Sequence, residues 1–346
     1  MTAQLTGRTT VTSLGRGREL LDPALRRAVA RLDEHTRLVA SYHLGWCTRD
    51  GEPVSANPGK ALRPSLVMLA AEAVGGTAED ALAGAVAVEL VHNFSLVHDD
   101  LMDRDTERRH RETVWSVWGE ATAVLVGDAM LSLAHEVLDE SPSPRAARSS
   151  RVLARATREL IRGQVLDMSF ETRTRVTLAE GLEMVAGKTG ALIAASAELG
   201  ALLGGAGPRT VAALRDYGAQ VGVAFQVVDD LLGIWGWPER TGKPVFSDLR
   251  SRKRTLPVVW AVEHGSTAGR ELAAWLATAP PPGGDPEPSL RAAAGLVERA
   301  GGRAWAVQEA RDRVRRALRA LDGAELDPVH RTELAELAEF VVERDL

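Results

Sequence analysis

Asp99 and Asp103, in the run Asp-Asp-Leu-Met-Asp that closes the segment VHNFSLVHDDLMD, stand four residues apart. On a helix that spacing stacks them on one face, with Asp100 turned to the side. Three carboxylates within one turn repel one another unless a cation lies among them. Oxygen-only donors of this kind suit a hard ion such as Mg²⁺, which keeps waters and is shared with substrate phosphates. A second acidic pair, Asp229 and Asp230, ends another apolar run, GVAFQVVDDLLGIWG. Each pair alone is ordinary for a solvated helix end, but two such pairs with cations near both are harder to explain that way. Lys60 and Arg63 share PGKALRP; Arg108 and Arg109 follow the first acidic run; Lys188 sits beside Thr189 in GKTG; Lys243 and Lys253 flank FSDLRSR. Arginine grips phosphate oxygens through paired hydrogen bonds and lysine supplies a compact charge. The chemistry this set could serve is the binding of two diphosphates, one through metal ions.

The elements that must position these residues are almost all helical. Apolar residues recur at spacings of three and four over Glu19–Trp46, Ala61–Val74, Glu79–Asp103, Val114–Leu138, Ala146–Glu171, Leu178–Leu203 and Val211–Trp235. Period-two alternation is scarce, and only 4% of residues are aromatic, so strands are not expected. Stretches such as ALAGAVAVELV and TGALIAASAELGALLGG are apolar nearly all round, which places them among other helices. The reading is an all-α fold: a flexible tail over 1–18, one helical domain over 19–346, and a surface loop at 279–289 (APPPGGDPEPS). With 45% hydrophobic residues in 346, the chain can bury a large core. A net charge of -5 gives no sign of nucleic-acid affinity. Cys47 is the only cysteine, which excludes an intrachain disulfide and a cysteine-based zinc site. The first 18 residues lack a signal-peptide core and no run of about 18 uninterrupted apolar residues occurs, so a cytoplasmic protein without a membrane span is expected.

In combination these segments resemble the trans-isoprenyl diphosphate synthase family over roughly residues 55–260. GKALRP is similar to its Gly-Lys-x-x-Arg-Pro element, ELVHNFSLVHDDLMD to its first aspartate-rich motif and FQVVDDLLG to its second, with GQVLD, KTG and GKPVFSDLRSRKRTLP in the expected order. The resemblance implies an isoprenoid-synthase bundle around a central apolar cavity and head-to-tail condensation of isopentenyl diphosphate with an allylic diphosphate. It implies three Mg²⁺ ions held by Asp99, Asp103 and Asp229, with Asp100 and Asp230 alongside. Arg108, Lys188, Thr189, Gln226 and Lys243 are then expected at the allylic substrate. Lys60, Arg63, His92 and Arg109 are expected at isopentenyl diphosphate, with Lys253 near the diphosphates. His98 is expected to be structural rather than a base. Phe94 and Ser95, five and four residues before Asp99, match the geranylgeranyl (C20) pattern, one helical turn being comparable to one isoprene unit. A farnesyl (C15) or longer product, a class I terpene cyclase and a non-catalytic partner subunit are the alternatives. The family also implies a homodimer. Two departures stand out: Gly233 replaces the last aspartate of the second motif, and Arg108-Arg109-His110-Arg111-Glu112 replaces the usual Arg-Arg-Gly-x-Pro.

Overall fold

The computed structural model describes residues 17–54, 61–236, 245–278 and 286–343. In chain order the helices are α1 (17–29), α2 (Glu34–His43), α3 (Leu62–Ala73), α4 (Leu82–Met102), α5 (Val114–Trp118), α6 (Glu120–Asp139), α7 (Ala146–Thr172) and α8 (Leu178–Val185). A π-helical turn (Ala186–Gly190) joins α8 to α9 (Ala191–Leu203), and α10 (Pro208–Trp235) follows. The remainder comprises α11 (Ser247–Arg250), α12 (Leu256–Glu263), α13 (Thr267–Ala277), α14 (Glu287–Arg299), α15 (Gly302–Leu321) and α16 (Pro328–Glu343). Among the described residues, strand is confined to the hairpin β1 (Glu107–Arg108) and β2 (Arg111–Glu112) and an isolated Cys47–Pro53 bridge.

Local chemistry divides what periodicity alone joins. The run Glu19–Trp46 is two helices, because Asp33 accepts from the amides of His35 and Thr36 and so caps a new one. Val114–Leu138 breaks at Gly119, whose φ of 85° suits glycine. Helix α8 starts on a capping box made by Thr177 and Glu180. Of the segment 279–289, read as loop, residues 279–285 lie outside the described residues, and the chain is helical from Glu287, since proline is tolerated in a first turn where amides need no partner. Of the tail, residues 17 and 18 already belong to α1, and 1–16 lie outside the described residues.

Two compact units emerge from the packing. The first is Met1–Thr157, Ala195–Arg215 and Gly323–Glu336. Its centre is α4, packed on α3 and α6, with Leu66, Leu90, Met130 and Leu138 essentially removed from solvent. The second is Arg158–Ala194, Asp216–Asp322 and Leu337–Leu346. Its core gathers Ile234, Leu249, Val258, Leu272, Leu290 and Val297.

Candidate active site

In the first unit, α4 ends in three aspartates against the sense of its own dipole. A helix C-terminus favours cations, yet the last turn carries no basic residue. The Asp105 amide donates to the Asp100 carbonyl (2.9 Å) and the Arg104 amide to that of Leu101 (3.3 Å). This is a Schellman closure, and its left-handed position is filled by Arg104 at φ 57°. Asp99 and Asp103 are half-buried, while Asp100 is 2% exposed and its Oδ1 accepts from Arg108 Nε at 2.7 Å. Burial pushes the Asp100 carboxyl up to about 6, with Arg108 opposing.

Arg108 is delivered by the hairpin. Pairing of Glu107 with Glu112 and Arg108 with Arg111 leaves Arg109 and His110 at the tip, with φ of 53° and 60°. Two central residues at positive φ make the type I′ geometry that normally selects Asn-Gly. The hairpin is tied down by Arg111, which donates to the carbonyls of Tyr42 (2.9 Å) and Cys47 (2.7 Å) and stacks 4.1 Å from the Tyr42 ring centroid. The Tyr42 hydroxyl donates to the Glu112 carbonyl at 2.9 Å.

Behind the arginines lies a buried polar group in which Glu89, Asn93 and His43, not singled out from the sequence, join the expected Arg63 and His92. Arg63 Nη1 is 3.3 Å from His92 Nε2. Burial, then Arg63 and Arg109, hold His92 well below the usual imidazole range, so its ring is neutral. Asn93 Nδ2 donates to the Glu89 carbonyl (2.8 Å) and carboxylate (2.9 Å). Asn93 also neighbours His43, which burial and the charges of Arg108 and Arg109 hold down at about 3. The buried Nε2 of His43 has no hydrogen-bond partner among the described residues. Polar residues at 89, 92 and 93 along an otherwise apolar helix were the available signal; nothing in the sequence pointed to His43. Phe94 is buried edge-on to His98, ring centroids 5.0 Å apart, and Ser95 donates back to the His92 carbonyl at 2.8 Å. His98 lies across Gly127 with Nε2 3.1 Å from the Val124 carbonyl, a packing role.

In the second unit, the π turn aims Lys188 and Thr189 away from the regular helical register; single π turns are frequent at functional sites. A Cβ at Gly163 of α7 would overlap the Lys188 amide nitrogen, so only glycine permits this approach. Lys188 Nζ pairs with Asp167 Oδ2 at 2.6 Å; Asp167 had not been singled out, although it closes GQVLD. Thr189 donates to Gln226 Oε1 (2.7 Å), and Gln226 Nε2 donates to Asp230 Oδ1 (2.9 Å). The other Asp230 oxygen accepts the Leu256 amide at 2.9 Å, at the start of α12. Burial pushes this carboxyl up to about 8, while Gln226 and Leu256 oppose. Both Asp230 oxygens are thus engaged internally, whereas Asp229 is exposed. The two acidic pairs share a logic: the first aspartate is accessible and the second is tied inside. The Lys253 amide donates to the Asp248 carbonyl at 2.9 Å. Lys60 and Lys243 lie outside the described residues.

Among the described residues no three His, Cys, Asp or Glu side chains converge as a ready metal cage. Mg²⁺ ordinarily uses one or two carboxylates and completes its shell with water and substrate phosphate, so the accessible aspartates fit it as donors.

The polyprenyl synthetase family model matches residues 46–282. The chain is 56% identical over 338 residues to a (2E,6E)-farnesyl diphosphate synthase of Mycobacterium tuberculosis, covering 97% of this chain and 94% of the relative. It is 43% identical over 336 residues to a geranylgeranyl diphosphate synthase of the same organism, covering 96% and 93%. A crystal structure of polyprenyl synthetase from Streptomyces coelicolor A3(2) superposes with a TM-score of 0.93 at 50% identity, over 96% of this chain and 99% of that one. A geranylgeranyl pyrophosphate synthase from Corynebacterium glutamicum, complexed with isoprenyl diphosphate and magnesium, gives a TM-score of 0.81 at 26% identity over 96% and 98%. On this likeness, and on an all-α fold carrying both aspartate-rich segments, the chain belongs to the polyprenyl synthetase family of trans-prenyltransferases.

Proposed function

We propose that this enzyme condenses isopentenyl diphosphate with an allylic diphosphate to make geranylgeranyl diphosphate. The observation that carries the reading is the accessible pair Asp99 and Asp103 at the end of α4, with its neighbour Asp100 committed to Arg108. Asp99, Asp103 and Asp229 serve as Mg²⁺ donors for the allylic diphosphate, and Asp100 and Asp230 hold the surrounding residues in place. When bound, the metal ions neutralise charge on the departing diphosphate. Arg108, Lys188, Thr189, Gln226 and Lys243 bind the same diphosphate and stabilise it as it leaves. Lys60, Arg63, Arg109 and a neutral His92 hold isopentenyl diphosphate, with Lys253 close to the diphosphates. The isopentenyl double bond attacks the allylic cation, and the proton it loses passes to the released diphosphate.

The C20 assignment rests on buried Phe94 as the floor and small Ser95 above it. A C15 product is the second reading, favoured by the 56% identity to a farnesyl diphosphate synthase. The apolar side chains left exposed on α6 (Leu125, 66%) and on α7 (Val165, 61%) suit a second copy of the chain, so a cytoplasmic homodimer completes the proposal. Helix α6 is long and apolar enough to cross a membrane by length and composition, but it buries Val126, Met130 and Leu133 in its own unit. The test is a product assay with Mg²⁺, labelled isopentenyl diphosphate and each allylic starter, sized after dephosphorylation. A dominant C20 alcohol supports the full reading and C15 replaces the length assignment. Hydrocarbon formed without isopentenyl incorporation indicates a cyclase, and no turnover indicates a partner subunit.

A further inference from the structure

Arg108 and Arg111 stand opposite one another in the hairpin, so their side chains leave the ladder on the same face. Like charges placed directly across a ladder repel, and here the two are drawn to different partners. Arg108 Nε reaches Asp100 Oδ1 at 2.7 Å, whereas Arg111 turns to the C-terminal end of α2. There Nη1 donates to the Tyr42 carbonyl at 2.9 Å and Nη2 to the Cys47 carbonyl at 2.7 Å, with the guanidinium 4.1 Å from the Tyr42 ring centroid. A helix C-terminus favours a cation, and the planar fork of arginine serves two carbonyls at once. These acceptors are themselves held. The Val54 amide donates to the Trp46 carbonyl (3.0 Å) and the Thr48 amide to the Glu52 carbonyl (2.8 Å) on either side of Cys47, and the Tyr42 ring meets Trp118 edge-on at 4.8 Å.

We propose that Arg111 is a positioning residue for isopentenyl diphosphate: by clamping β2 to the end of α2 it sets where Arg109 stands at the hairpin tip. The inference rests on the prenyl-transfer reading above. A two-stranded hairpin is marginal in water by itself, and this one has two ladder pairs and a tip of two residues at positive φ. Its restraint must come from outside the ladder. Thr113 and Trp115 close the base, both donating to the Asp105 carbonyl (2.8 and 2.7 Å). The hold on β2 comes from Arg111 and from the Tyr42 hydroxyl on the Glu112 carbonyl (2.9 Å). Arg108 has a tether of its own in Asp100, so loss of the clamp falls chiefly on Arg109.

The test is steady-state incorporation of labelled isopentenyl diphosphate with Mg²⁺, melting temperatures monitoring the fold. Arg111→Met is expected to raise KM for isopentenyl diphosphate about 10–100-fold, because apparent affinity falls with the fraction of hairpins correctly placed. With Arg108 still tethered, kcat and KM for the allylic diphosphate should change by less than about fivefold. Arg111→Lys keeps the charge but loses the fork and the stacking, and should stay within about threefold of Arg111→Met. Arg109→Met should raise the same KM, and adding Arg111→Met to it should change that KM by less than about twofold, as for a residue that acts through another. Tyr42→Phe removes only the hydroxyl bond to Glu112 and carries the test if Arg111→Met does not fold: KM should rise about fivefold at an unchanged melting temperature. The proposal is overturned by a fall in kcat with KM for isopentenyl diphosphate unmoved, by full recovery in Arg111→Lys, or by effects that multiply in the double variant. If Arg109→Met raises KM and the Arg111 and Tyr42 variants do not, only this inference fails. If Arg109→Met also leaves KM unchanged, or the parent incorporates no isopentenyl diphosphate, the reading beneath it fails as well.

Discussion

Acid should destabilise this protein through His43, and the size of the effect follows from its burial. In the folded chain the imidazole is held at about 3, whereas an unfolded histidine titrates near 6.5. A folded-state value depressed in this way gives stability that is complete above the unfolded value and is lost as pH falls from 6.5 towards 3. Between pH 7.5 and 5.5 the unfolded chain takes up most of one proton that native His43 refuses, a loss of about 1.4 kcal/mol. His92, also held well below the ordinary range by its burial, acts in the same direction. Asp100 and Asp230 act oppositely: their raised values give stability that is lost as pH rises, so lowering the pH strengthens their contribution. The comparison that isolates His43 is therefore parent against His43→Gln in metal-free buffer, with urea midpoints measured at both pH values. The variant should be less stable at pH 7.5, through the disturbed packing around His43, but should lose about 1.4 kcal/mol less than the parent on acidification. Equal losses, within about 0.3 kcal/mol, would refute the reasoning, because a histidine open to solvent has no such linkage.

Asp229 and Asp230 should separate cleanly. Asp229→Asn is expected to lower kcat by about 10²–10³ with little change in stability. Asp230→Asn should cost about 1–3 kcal/mol in urea unfolding, because an amide cannot accept from both Gln226 and the Leu256 amide and leaves one donor unpaired. At the hairpin tip, His110→Gly removes a side chain from φ 60° and should stabilise the chain by about 0.5–1 kcal/mol after the greater freedom of unfolded glycine is counted. An unchanged or lowered melting temperature would contradict the strain assigned there. Phe94→Ala should shift the product beyond the parent's length by one or more isoprene units, sized by chromatography of the alcohols. An unaltered product would show that Phe94 serves only its packing against His98.

Much of the site could be read in the sequence because charged residues on apolar helices are conspicuous. Asp99 and Asp103 announce themselves by spacing, Arg63 by its spacing from Lys60, and His92 only through the family resemblance, whereas the division of labour within each acidic pair does not show. Asp100 and Asp230 differ from Asp99 and Asp229 in burial and partners, and those partners lie 8 and 26 residues away. Distant pairing also hid His43, fifty residues before Asn93 in the chain, and Asp167, one salt bridge from Lys188. Helix limits went astray where a single side chain or φ value decides, at Asp33 and Gly119. The π turn was invisible because its sequence, Ala-Gly-Lys-Thr-Gly, continues an acceptable helical pattern and only the close approach of Gly163 reveals it.

The backbone offers an argument for the site that does not depend on motifs. Among the described residues, the non-glycine positions at positive φ are Ala61, Arg104, Arg109, His110, Phe246 and Arg252. Each is, adjoins, or lies within three residues of, a residue assigned here to phosphate or metal: Ala61 follows Lys60, Arg104 follows Asp103, His110 follows Arg109, Phe246 stands three beyond Lys243, and Arg252 precedes Lys253. Left-handed backbone costs an ordinary residue about 1–2 kcal/mol. Glycine would relieve most of that at every one of these positions. Six such positions together are comparable to the whole net stability of a domain, about 5–15 kcal/mol. Strain of that size persists only where surrounding contacts hold it, and it gathers at sites that must be set before the ligand arrives. At Arg104 and Arg252 the strained residue completes the turn that closes a helix, and at Arg109 it is the candidate phosphate-binding cation itself. The chain accepts left-handed geometry where arginine is needed, and the functional assignment of these turns predicts that glycine there raises the melting temperature while weakening diphosphate binding.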